Sequence, residues 1–129
     1  MNRIGLVAGL ALVFLGCGTR IHYMSLNASP RTLSPRSPDS VEVFTSGKPD
    51  RSFAEVGMIE AQQQSGWSVD QPTAILQKLR QKAADVGCDG IIVLGSNDAV
   101  VGSSGQYGGS VATLRGYRAT CIVYKDQQQ

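Results

Sequence analysis

"DQPTAILQKLRQKAADVGCDGIIVL", residues 70–94, decides the fold, because two hydrophobic periods meet inside it. Ile75, Leu79, Ala83 and Val86 recur at helical spacing with Leu76 and Ala84 beside them. Gln77, Lys78, Arg80, Gln81 and Lys82 mostly face outward. Asp70 is placed to cap this helix, and Pro72 is tolerated in its first turn. Gly87 stands where a left-handed residue commonly ends a helix, and the basic residues favour the second half through the helix dipole. Gly90-Ile91-Ile92-Val93-Leu94 follows at once. A short β-branched run of this kind predicts a central strand buried on at least one face.

Working outward, Val41, Val43 and Thr45 alternate with Glu42 and Phe44, the two-residue period of a strand. Ser46 to Asp50 then supplies turn chemistry, so a hairpin or a bend is expected. Phe53 to Ala61 reads as a second strand in which Gly57 marks a bulge or a close backbone approach. Downstream, Val111 to Tyr124 is the longest strand candidate. Its odd positions Val111, Tyr117, Ala119, Cys121 and Val123 are the more apolar set, which turns Cys121 toward the helix. The glycine-rich Val101 to Ser110 neither opens a helix nor pairs Lys with Ser or Thr, as phosphate-cradling loops do; it reads as a flexible hairpin connection at the sheet edge. The expected fold is α+β: one helix packed on a small, mainly antiparallel sheet of about four strands, in a single compact domain over residues 41–129. A core this limited makes a cross-link useful.

The N-terminal residues carry a different signature. Arg3 precedes Ile4 to Leu15, which contains no charged or strongly polar side chain, and small Gly16 follows. Residues 1–16 therefore read as a secretory signal. The run is too short for a membrane span, which needs roughly 20 helical residues. Phe14-Leu15-Gly16-Cys17 resembles the lipobox of bacterial lipoproteins, with Phe14 where that pattern prefers Leu. The resemblance implies acylation of Cys17, a lipid anchor in the membrane, and, with Gly18 next, sorting to the outer membrane with the domain in the periplasm. The alternative is a secreted protein cut near Gly16 or Gly18. Residues 17–40, with Ser29-Pro30, Ser34-Pro35 and Ser37-Pro38, read as the lipidated Cys and an extended Ser/Pro-rich tether reaching up to about 70 Å. Arg20, Arg31 and Arg36 read as solvated charges on it, and His22, the lone histidine, as an ordinary polar residue.

With Cys17 acylated, Cys88 and Cys121 remain as an even pair in a compartment that permits oxidation. They predict a disulfide, with two independent buried thiols as the competing reading. Two cysteines cannot close a zinc site unaided, and a nucleophilic cysteine would want a histidine in the expected domain, which residues 41–129 lack. Glu42, Glu55 and Glu60 scatter over strand faces, and Asp85, Asp89 and Asp98 lie near element ends, where caps and turns use them. Trp67, Tyr107, Tyr117 and Tyr124 serve core packing more readily than a sugar or peptide platform. The net charge of +2 points to neither a nucleic-acid nor a strongly acidic partner. No catalytic residues, metal or cofactor are expected.

Pro49-Asp50-Arg51-Ser52-Phe53-Ala54-Glu55-Val56-Gly57, then Lys82 to Ile92, then Gly116-Tyr117-Arg118-Ala119-Thr120-Cys121-Ile122-Val123-Tyr124 resemble small bacterial envelope lipoproteins related in fold to the outer-membrane Rcs stress sensor and the YbjQ-like domains. The resemblance covers most of Val41 to Tyr124. It implies a helix laid on a small sheet, tethered by lipid. The sensor carries two disulfides; Cys121 falls on one of its cysteines and Cys88 does not. The expected function is a non-catalytic, lipid-anchored envelope protein that binds an envelope protein or polymer or senses envelope state. A thiol-based redox or metal-responsive sensor using Cys88 and Cys121 is the alternative, and an enzyme acting on wall or glycan ranks last.

Overall fold

A computed structural model describes residues 18–64, 70–96, 99–105 and 108–127. In chain order its elements are β1 (Thr19–Ser25), a 3-10 turn (Pro38–Ser40), β2 (Glu42–Phe44), β3 (Phe53–Gln63), α1 (Pro72–Val86), β4 (Gly90–Ser96), β5 (Ala99–Gly105), β6 (Gly108–Leu114), β7 (Gly116–Tyr124) and a second 3-10 turn (Lys125–Gln127). Five strands form one sheet in the order β1-β3-β7-β4-β2, while β5 and β6 pair as a separate ribbon. The fold is α+β as expected, but the sheet is larger and mixed, since β2 runs parallel to β4. β3, α1 and β4 make a split β-α-β unit, and β7 fills the slot between the strands, antiparallel to both.

α1 keeps the bounds that the sequence implied. Ile75, Leu79, Ala83 and Ala84 are its buried residues. They pack on Ile59, Ala61, Ile91, Ala119 and Cys121 from the sheet. Full burial of Ile75 or Leu79 contributes about 1.5–3 kcal/mol each. Two details differ. Gln71, not Asp70, is the N-cap, without a side-chain cap bond, and no basic residue lies in the last turn. Asp70 is instead engaged with Lys78 and Thr19.

Gly87 ends α1 at φ 103, and the N–H groups of Gly87 and Cys88 both reach the Ala83 carbonyl at 2.9 Å. A Cβ at Gly87 would stand 2.5 Å and 2.6 Å from the backbone O and N of Ser34. Gly87→Ala therefore combines a left-handed conformation, which costs a non-glycine residue about 1–3 kcal/mol, with a backbone collision. The expected result is a lowered urea midpoint accompanied by faster amide exchange at Arg36, whose N–H donates to the Ala84 carbonyl.

The residues expected to form a tether are built into the domain. β1 is a full edge strand, paired antiparallel with β3 from Thr19↔Gln63 to Ser25↔Gly57. Ile21 and Tyr23 pack against the core while Arg20 and His22 stay exposed. The domain thus begins at β1 rather than at residue 41. The physical reason is an unpaired β3 edge, which β1 satisfies with a complete backbone ladder. The following residues are held against the C-terminal end of α1.

Three further differences follow from pairing. β2 does not hairpin with β3, because it is hydrogen-bonded to β4 at the opposite side of the sheet. The expected strand from Val111 to Tyr124 is broken at Arg115, whose N–H donates to the Gln63 side chain and whose carbonyl accepts the Gln63 N–H. The glycine-rich stretch belongs to a paired ribbon, with a register running from Ala99↔Leu114 to Gly105↔Gly108. Gly57 adjoins a register shift in β3, and a Cβ there would overlap the Tyr23 ring. Bulge and close approach occur together.

Candidate functional site

Asp89 is the polar centre of the domain. It is 3 % exposed and sits between the end of α1 and the start of β4. Arg31 and Arg36 both donate to Oδ1, and the Tyr124 N–H donates to Oδ2 at 2.8 Å. Its own backbone is also used, with the N–H donating to the Ile122 carbonyl and the carbonyl accepting from Glu42. The carboxylate thereby joins residues 31–36 to β7, and the backbone carbonyl of the same residue adds β2. A buried carboxylate needs such partners, because desolvating an isolated charge is prohibitive. Arg31 and Arg36 are consequently latch residues rather than solvated charges.

Tyr124 extends this centre toward the surface. Its hydroxyl donates to the Glu42 carboxylate at 3.1 Å, and the Arg51 guanidinium lies 3.8 Å from its ring centroid. Arg51 is in turn paired with Asp126 at 2.6 Å. Burial first, then the Glu42 hydrogen bond, pushes the Tyr124 phenol up to about 12. The fold holds that proton more tightly than the unfolded chain does, where a phenol ionises near 10. The associated stability is complete below about 10 and is lost as pH rises toward the folded value. Urea midpoints taken across this alkaline window should fall, and Tyr124→Phe should remove that component of the slope.

Cys88 and Cys121 form a disulfide with a Cα–Cα separation of 5.6 Å. Both residues are 0 % exposed. The bond ties the second residue past α1 to the middle of β7, next to Asp89. Cys17 lies outside the described residues, as do Trp67, Asp98 and Tyr107. Of the described carboxylates, Glu42 serves Tyr124, Glu60 pairs with Arg118 at 2.9 Å, and Asp85 accepts from Gln81. His22 lies opposite Glu60 in the ladder. Among the described residues no group of three or more His, Cys, Asp or Glu could hold a metal, and no helix is long and apolar enough to cross a membrane.

A groove of about 270 Å³ opens between α1 and β1, lined by Ile21, Lys78, Gln81, Lys82 and Asp85. Lys78 pairs with Asp70 at 2.6 Å. Lys78 first, then Thr19, holds the Asp70 carboxyl below its ordinary range. Any stability from this contact is present above the usual carboxyl range and is lost as pH falls through the lowered value. No sequence signal singled out the groove, because Ile21 and Lys78 meet only through the β1–β3 pairing.

No family model and no curated protein matches the chain. Among solved structures, it is similar to the crystal structure of a Francisella virulence factor, FvfA, in the orthorhombic form. The identity is 19%, the match covers 78% of this chain and 96% of that chain, and the TM-score is 0.41.

Proposed function

We propose that the chain is a non-catalytic, lipid-anchored protein of the bacterial cell envelope, held in the outer membrane through Cys17 with its domain in the periplasm. It binds an envelope protein or polymer or reports envelope state, and it is related to the small envelope lipoproteins that its motifs resemble. The observation that carries this reading is the buried Cys88–Cys121 disulfide, standing downstream of a signal-like run and a lipobox-like Phe14 to Cys17. Such bonds persist where the compartment is oxidising, as beyond the inner membrane. The Asp89 centre supports a scaffold role, since each of its partners is spent on holding backbone segments together.

The thiol-sensor alternative has the same two cysteines. Their full burial opposes it, because exchange requires a thiolate to reach a sulfur. A structural bridge resists mild reductant in the folded protein; a sensing pair cycles and changes conformation.

Two treatments of growing cells test the anchoring. Globomycin should leave an unprocessed precursor, and Cys17→Ser should lose membrane association. A processed chain in the presence of the drug, together with membrane-bound Cys17→Ser, would contradict the reading. Pull-down from intact envelopes with the wild-type chain should then recover a protein or polymer partner.

A further inference from the structure

We propose that the groove between α1 and β1 is the face on which this domain rests against phospholipid head groups of the bilayer that anchors it. The inference depends on acylation of Cys17 and adds what the domain does once attached. Because β1 begins at Thr19, only Gly18 separates the anchor residue from the sheet. Neighbouring Cα atoms lie about 3.8 Å apart, so no spacer holds the domain away. A Cβ on Gly18 would stand 3.9 Å from Lys78 Nζ, which places a groove-lining ammonium beside the point of attachment.

The chemistry of the groove suits a phospholipid surface. Ile21 and the stems of Lys78 and Lys82 give an apolar floor, Asp85 at its edge accepts from Gln81 at 3.1 Å, and the two ammonium groups can turn outward, as long cationic side chains do at interfaces. Lys78 is 41% exposed and shares Asp70; among the described residues Lys82 has no ion-pair partner. Arg20 is exposed on β1 close to the anchor, on the sheet face opposite to Ile21. These cations lie near enough to the anchor to feel head-group phosphate, whose field decays over about 10 Å at ordinary salt. Lys48 and Lys125, the other lysines of the chain, lie toward the opposite end of the sheet, beside the start of β3 and the end of β7. β3 is 11 residues long. At ~3.3 Å per residue its length puts that end beyond the reach of the same field.

The test uses the full, acylated protein in vesicles of phosphatidylethanolamine and phosphatidylglycerol that contain a phospholipid with a photoactivatable head group. After illumination, adducts mapped by mass spectrometry should concentrate on residues 18–22 and 77–82, several-fold above residues 48–53 and 123–126. An even distribution, or a maximum at the far end, overturns the inference. The intact mass of the same sample separates the two readings. Acylated Cys17 with evenly spread adducts overturns this inference alone, whereas unmodified Cys17 overturns both. Lys82→Glu, outside the core, should lower the adduct yield over residues 77–82 while the circular dichroism spectrum is unchanged. An unchanged yield would overturn the assignment of Lys82 to phosphate.

Discussion

Asp89→Ala is expected to lower the unfolding free energy by about 3–5 kcal/mol, the usual loss when one partner of a buried charged set is removed. The substitution leaves Arg31 and Arg36 facing a site without a counter-charge, and strips the Tyr124 N–H of its acceptor. Such a loss is a large share of the 5–15 kcal/mol that holds a typical domain together. Urea denaturation followed by circular dichroism measures it. Exchange at the Arg36 amide should accelerate first, because residues 31–36 are held by that carboxylate as well as by the Ala84 carbonyl. Asp89→Asn retains the shape and one acceptor oxygen but no charge, so its loss should be intermediate. A decrease under about 1 kcal/mol for Asp89→Ala, the scale of an exposed ion pair, would show that the arginines are satisfied by solvent.

Removing the cross-link as Cys88→Ala with Cys121→Ala is expected to cost about 3–4 kcal/mol in the chain-entropy description, for a sequence separation of 33 residues. Alanine avoids leaving a buried thiol, and both positions are fully enclosed, so a small packing loss adds to the entropic one. Wild-type protein reduced under denaturing conditions and refolded with reductant should approach the double variant in midpoint. Coincident midpoints for the oxidised protein and the double variant would mean that the bond contributes nothing to stability. The substitutions at Asp89 and at the cystine should not be additive, because residues 88 and 89 are adjacent and share β7 as their partner.

Local periodicity is where the fold was legible. α1 emerges between Pro72 and Gly87 because its apolar spacing, its tolerated proline and its terminal glycine agree. Gly57 marked a bulge or close approach in β3 because it lacks a side chain, and the Tyr23 ring that fills the gap arrives from a strand distant in sequence. Cys121 was turned toward the helix by simple alternation, and its bond to Cys88 follows.

Long-range pairing was not legible. Ile21 and Tyr23 alternate with Arg20 and His22, a strand period that lay in plain view but was overshadowed by the prolines that follow. Those prolines exclude a helix; they do not exclude packing. Arg31 and Arg36 find their carboxylate 58 and 53 residues away, so neither local charge pattern nor turn chemistry announces it. Asp89 reads as a turn residue beside Gly90 until β7 supplies the Tyr124 amide. The ribbon of β5 and β6 was hidden by glycine, which lowers strand propensity without preventing a ladder. Arg115 ends one strand and starts another because Gln63, from β3, takes both of its backbone groups.

Intact mass spectrometry of the protein extracted from cell membranes without reductant tests the central claim most directly. The account predicts a chain beginning at Cys17, carrying a diacylglyceryl group on sulfur, and lighter by the hydrogens lost in one Cys88–Cys121 bond. A chain found in the soluble fraction with Cys17 unmodified would contradict it.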